Sequence, residues 1–216
     1  MSRLAIIGSN DLGKLIAHHA LQSGWNVVGF FDNKKEKGIA IDNYGDILGA
    51  VDQIELFYKG GKLDCIINGV GYTQFEYRQK VFDSLKGKVP FANVIHNNTY
   101  VDKSVSLGEG IFILPGTTLD MNVKIRDNVL LNTGCNIAHD SEIMEHTFIA
   151  PGVTIAGNVQ VGNCNFIGVG STILDGIRTC PKVVVGGGAL VSKNITDPGV
   201  YIGIPARRIK DNMYFK

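Results

Sequence analysis

The sequence predicts an α/β half-domain over residues 1–92 followed by an all-β parallel β-helix over residues 93–216. Three observations carry this. The first part alternates short apolar strands with helix-length segments, and each strand ends on glycine or small polar residues. From Ile95 onward an aliphatic residue recurs every six positions. Three prolines, Pro115, Pro151 and Pro181, share one phase of that period.

In the N-terminal part, Leu4 to Ile7 reads as a strand, followed by the turn Gly8-Ser9-Asn10-Asp11-Leu12-Gly13 and a helix to about Ser23. A second strand, Val27 to Phe31, ends at Asp32-Asn33. A third, Asp64 to Ile67, ends at Asn68-Gly69-Val70-Gly71, and a helix from about Thr73 to Leu85 follows. Such βαβ alternation implies a small parallel sheet, whose ligands gather beyond the carboxyl ends of the strands. Those ends hold Ser9, Asn10, Asp32, Asn33 and Gly71, the candidate substrate-binding residues. The Gly8-to-Gly13 turn offers backbone N–H groups to a phosphate at a helix start. The segment is too short for a full dinucleotide-binding domain, which argues against a dehydrogenase.

The second part runs Ile95, Val101, Leu107, Ile113, Leu119, Ile125, Leu131 and on to Val191 in steps of six, with Thr179 as the one non-aliphatic member. A period of six fits neither the 3.6 of a helix nor the 2 of a strand with one buried face. It fits a coil of three short strands, so that eighteen residues make one triangular turn and successive turns stack about 4.8 Å apart. Two residues before the aliphatic position stand small or β-branched side chains, as in Val105, Thr117, Val123, Cys135, Ser141, Val153 and Ala189. Each buried aliphatic contributes roughly 1.5–3 kcal/mol, enough in repetition to sustain the coil. Proline cannot donate to a ladder, so its phase marks a corner, and Gly157 and Gly187 share it. An ordinary β-sandwich would show drifting spacing instead.

Composition narrows the function classes. Apolar residues make up 44% and glycines number 27, which suits many tight turns around a narrow core. Net charge is +1, with 11 basic against 10 acidic residues up to Pro90 and 10 against 10 after it. No basic stripe suits a nucleic acid, and no apolar run approaches the ~20 residues of a membrane span. Met1 to Gly8 reads as a first strand rather than a signal peptide. Cys65, Cys135, Cys164 and Cys180 lack metal-ligand spacing, so reduced cysteines, no metal and a cytoplasmic location are expected.

The stretch Leu131-Asn132-Thr133-Gly134-Cys135-Asn136-Ile137-Ala138-His139-Asp140, then Ala150-Pro151-Gly152, Ile155-Ala156-Gly157 and the ending Gly203-Ile204-Pro205-Ala206-Arg207, resembles the hexapeptide-repeat sugar acetyltransferases. The resemblance is to the sialic acid O-acetyltransferases and the bacillosamine-type nucleotide-amino-sugar N-acetyltransferases. It implies a left-handed β-helix, a Rossmann-like half-domain that helps to hold the sugar, a homotrimer, and acetyl-CoA as co-substrate in clefts between neighbouring β-helices. The expected reaction is N-acetylation of a nucleotide-linked amino sugar for a surface glycan. O-acetylation of a free sugar such as a sialic acid, or a non-catalytic trimeric sugar-binding scaffold, stands as the alternative.

His139 falls in the corner phase, so its imidazole points outward, and a group titrating near 6.5 suits proton removal from an attacking amine or hydroxyl. The resemblance makes it the general base. Asp140 would orient the ring, provided that the corner bends the backbone, since neighbouring side chains on a regular strand diverge. Gly157, eighteen residues on, should stack beside His139, and the resemblance makes its N–H a donor to the thioester carbonyl. His146 lies where relatives also carry histidine, whereas the acetyl-contacting position two residues later is Phe148 here. Arg207, with Arg208 and Lys210, is expected to neutralise CoA phosphates. By resemblance, Asp32 and Asn33 lie near a nucleotide base, although Leu12 replaces a histidine common in relatives. A zinc carbonic anhydrase would need three converging histidines, but His139 and His146 are seven apart and His18, His19 and His96 lie far upstream.

Overall fold

The structure is a computed structural model describing residues 1–212 of the chain. It divides into two compact units, Met1–His96 and Asn97–Lys216, so the boundary falls four residues later than the 92/93 expected from the sequence.

The first unit contains β1 (Arg3–Ile7), α1 (Asp11–Gln22), β2 (Asn26–Phe31), β3 (Ile47–Gly49), α2 (Ile54–Lys59), β4 (Cys65–Asn68) and α3 (Phe75–Leu85). The strands form one parallel sheet in the order β3-β2-β1-β4. Leu4, Ala5, Ile6 and Ile7 are all buried, as a central parallel strand covered on both faces requires. β3 and α2 were not anticipated. β3 has three residues and pairs through an irregular register at Phe30/Phe31, so it carries no alternation to read. α2 is six residues long and contributes Ile54 to the core with Ile7, Phe31, Phe82 and Phe91. α1 packs closely on the strand ends: a Cβ on Gly13 would lie 2.0 Å from the Gly8 carbonyl oxygen, and one on Gly69 2.9 Å from Gly13 Cα. Only glycines let the first helical turn sit this near the sheet's carboxyl edge.

The second unit is a hexapeptide β-helix of three parallel sheets, most strands being two residues long. Register runs in steps of eighteen: Leu131 beside Ile149, Ile167 and Val185; Leu119 beside Ile137, Ile155, Ile173 and Val191; Leu107 beside Ile125, Ile143 and Val161. The aliphatic column is buried from Ile113 onward, and Thr117, Val123, Cys135, Ser141, Val153 and Ala189 form the second inward layer. Its polar members are satisfied: Ser141 Oγ donates to the Ala156 carbonyl at 2.8 Å and Thr117 Oγ1 to that of Asn132 at 2.9 Å. The expected period of six therefore translates directly into the coil.

Each corner has a fixed conformational grammar. From Gly116 to Gly188 every sixth residue has φ between 55° and 73°, including Asn122, Asn128, Asp140, His146, Asn158, Cys164 and Lys182. Glycine and asparagine adopt this left-handed region most readily and dominate the column. The residue just before it is the phase of Pro115, Pro151 and Pro181, and its N–H takes no part in the ladder, so proline fits without loss. After Val191 the coil tightens: Thr179 pairs with Ile195 and Val185 with Tyr201, sixteen residues apart. Gly199–Ile202 then pairs antiparallel with Arg207–Lys210.

Candidate active site

One corner of the second unit stacks Asn122, His139 with Asp140, Gly157 with Asn158, and Asp175 with Gly176, coil on coil. Asp140 sits in the left-handed position with φ 57°, which turns its carboxylate back alongside the preceding ring. The bend that the sequence required is therefore present, and His139 Nδ1 lies 2.9 Å from Asp140 Oδ2. With Nδ1–H donating to the carboxylate, Nε2 carries the free lone pair. The hydrogen bond to Asp140 raises the His139 pKa above its usual 6.5; desolvation opposes this, and the charges of Asp140, Asp120 and Asp175 add to it. The same bond, then one from Asn122, lowers that of Asp140.

Gly157 lies against the imidazole. A Cβ there would approach His139 Cε1 and Nε2 at 2.7 Å and Asp175 Oδ1 at 3.1 Å. Its φ is not left-handed, so the corner's conformation does not call for glycine; the room taken by the His139 ring does. Among the described residues the Gly157 N–H meets no acceptor, while its carbonyl accepts from Gly176 N–H at 3.0 Å. This is the phase that tolerates proline elsewhere, so the free N–H follows from the fold. A basic nitrogen on a half-exposed ring and an unspent donor on buried Gly157 thus sit side by side, the pairing that acyl transfer from a thioester uses.

His146 is not brought to this place. It lies on another corner, one coil from Asn128, is 7% exposed, and its Nδ1 accepts from Asn128 Nδ2 at 2.9 Å. Arg207 is exposed in the final antiparallel pair and donates to the Ala206 carbonyl. Ala206 N–H bonds the carbonyl of Leu190, in the sheet that also holds Thr172, Thr154 and Asn136. Leu190 is thus three strand spacings, about 14 Å, from the coil of His139. Arg208 is engaged by Asp211 and the Pro198 carbonyl, which leaves Arg207 the more available cation of the two.

In the first unit the strand ends bring together Ser9 and Asp32. Ser9 N–H and Oγ both donate to Asp32 Oδ2, at 3.0 and 2.6 Å, and Lys34 N–H donates to Oδ1 at 2.8 Å. Burial pushes the Asp32 pKa upward, but the Ser9 hydroxyl, the two backbone donors and Lys35 outweigh it and hold the carboxyl below its usual value. Asn33 accepts from Val51 N–H at 2.9 Å and donates to Tyr77 Oη at 3.0 Å. Asn10 is exposed at the start of α1, its side chain making no capping bond, and a Cβ on Gly71 would meet nothing. Lys35, whose Nζ lies 3.4 Å from the Ser9 carbonyl, and Tyr77 were missed by sequence reasoning. The run Asp32-Asn33-Lys34-Lys35 held a signal for the lysine; Tyr77, forty-four residues from Asn33, held none.

Among the described residues no group of histidine, cysteine, aspartate or glutamate side chains is arranged to hold a metal, and no helix is long and apolar enough to cross a membrane.

Comparison with known proteins gives the same two-part division. Residues 3–85 match the PglD N-terminal domain, and residues 122–157 match the bacterial transferase hexapeptide (six repeats). No curated protein matches the chain. Among solved structures, GDP-perosamine N-acetyltransferase from Caulobacter crescentus, in complex with CoA and GDP-perosamine, is 24% identical with a TM-score of 0.90, covering 98% of each chain. The acetyltransferase domain of PglB from Neisseria gonorrhoeae FA1090 is 22% identical with a TM-score of 0.88, covering 97% of this chain and 100% of that one. WeeI from Acinetobacter baumannii AYE is 23% identical with a TM-score of 0.84 and the same coverage. These likenesses establish a shared fold along nearly the whole chain.

Proposed function

We propose that this chain, a hexapeptide-repeat protein carrying a PglD N-terminal domain, transfers acetyl from acetyl-CoA to the amine of a nucleotide-linked amino sugar. The observation that carries the reading is the contact of the His139 ring with Gly157, which sets a proton acceptor beside a free backbone donor. The solved relative that holds both CoA and GDP-perosamine supports the choice of co-substrate and acceptor class.

The sugar amine attacks the thioester carbonyl carbon, so a C–N bond forms as the C–S bond breaks. His139 Nε2 takes the amine proton and returns it to the departing thiolate. Asp140 holds the ring and stabilises the imidazolium. The Gly157 N–H faces the oxygen that gains negative charge, a donor worth ~10²–10³ in rate. Ser9, Asn10, Asp32, Asn33 and Gly71, at the carboxyl edge of the first unit's sheet, receive the nucleotide end of the acceptor. Arg207 faces CoA phosphates, and His146 braces its own corner through Asn128 rather than touching the acetyl group. The working form is a cytoplasmic homotrimer.

Thiol release from acetyl-CoA, measured against a panel of nucleotide amino sugars and free sugars, tests the reading. Release with a nucleotide amino sugar, inhibited by a nucleoside diphosphate, is expected. Release with free sugars alone, or calorimetry showing no acetyl-CoA binding, would overturn it.

A further inference from the structure

Asp140 is held on its far side by a residue that the reaction above leaves unused. Asn122 lies eighteen residues earlier, one coil away, and its Nδ2 donates to Asp140 Oδ1 at 3.0 Å. The two carboxylate oxygens are therefore divided, Oδ2 to the His139 ring and Oδ1 to this amide. Asn122 is itself anchored. Its backbone N–H donates to Ser104 Oγ at 2.8 Å, and that hydroxyl donates to Asp102 Oδ1 at 2.6 Å. A polar chain Asp102–Ser104–Asn122–Asp140–His139 thus climbs one corner of the β-helix.

The corner's left-handed conformation alone favours asparagine at 122, as it does at Asn128 and Asn158. It does not account for where the amide points. Asp140 is 42% exposed and opens on a cleft of about 470 Å³ lined also by Ser104, Ser106, Asn122 and Lys124. There water competes for the carboxylate, and the Lys124 charge draws on it. With one anchoring bond the carboxylate swings about its terminal torsion, which is broad; a second bond fixes it. We propose that Asn122 is a positioning residue of the acetyl-transfer site, holding Asp140 in the rotamer that orients His139. This rests on the function proposed above.

Asn122→Gly tests it, because glycine keeps the left-handed corner and deletes only the amide. The expected result is a kcat lowered about tenfold, the scale of a slightly misplaced catalytic group, with acetyl-CoA affinity unchanged. The acid limb of kcat should also move to lower pH, since the carboxylate no longer sits firmly against the ring, while Asp120 and Asp175 still face it. Asn122→Asp keeps the side-chain shape without the donor and should show a similar loss in kcat. Wild-type kcat in both variants, with an unmoved acid limb in Asn122→Gly, would overturn the proposal while leaving the acetyltransferase reading intact. If the parent protein releases no thiol with any of the nucleotide amino sugars, that reading fails instead. NMR titration of His139 then decides without substrate: a lower pKa in Asn122→Gly supports the positioning role, and an unchanged one removes it.

Discussion

A solvated histidine titrates near 6.5, and the Asp140 hydrogen bond moves His139 above that value. As the proposed base, the ring accepts a proton only when neutral, so turnover is expected to fall as pH drops through a pKa higher than 6.5. A profile of kcat against pH should show that acid limb, and Asp140→Asn should shift it downward while lowering kcat. The second residue-scale prediction concerns Gly157. A methyl group there would meet the ring at 2.7 Å, and because the imidazole is 45% exposed it can swing away. Gly157→Ala should leave the midpoint of thermal unfolding nearly unchanged yet cut kcat by tenfold or more, since displacement of about 1 Å can cost 10². Wild-type turnover in that variant would mean that the ring's resting place has no bearing on transfer.

At the scale of the element, stability resides in the aliphatic column rather than in the corners. Ile155 is buried between Ile137 and Ile173, and Ile155→Ala should cost ~2–5 kcal/mol in denaturant unfolding. A loss under 1 kcal/mol would contradict the packing described. This column was fully legible in the sequence, because one residue type returning every six positions has no other structural use. That Gly157 lies against His139 was legible for the same reason, a step of eighteen being a step of one coil, whereas the roles of His139, Asp140 and Gly157 came from the resemblance. The basis for Gly157 was not. Its glycine looked like a turn requirement, and only the ring lying on it shows that space, not φ, excludes a side chain. β3, α2 and Tyr77 escaped because a three-residue strand, a six-residue helix and a distant hydrogen-bond partner leave no periodic trace. His146, an acetyl-CoA-binding candidate in the sequence, is buried against Asn128 on a different corner from His139, and the period of six alone does not tell the two corners' surroundings apart.

The whole molecule joins two units with separate chemistry: strand ends that bind Asp32 tightly to Ser9, and a corner that pairs an imidazole with a free amide. If acceptor and acetyl donor are recognised by different units, variants should separate them. Asp32→Ala should raise KM for the nucleotide sugar at least tenfold with little change in KM for acetyl-CoA, as expected when binding common to ground and transition states is removed. Equal effects on both constants would argue against that division. The proposed trimer should sediment at three times the 23.4 kDa of one chain, and a monomer active at the same concentration would exclude it.

The proposed proton path is the part on which the acetyl-transfer reading depends most directly. Turnover of His139→Ala should be measured by thiol release with saturating acetyl-CoA and a nucleotide amino sugar, on protein shown by calorimetry to bind acetyl-CoA as the parent does. Loss of the proposed general base predicts a fall in kcat of at least a hundredfold, within the ~10²–10⁴ that such groups supply. Turnover equal to that of the parent would show that the amine loses its proton elsewhere and that the His139 corner is not where acetyl changes hands.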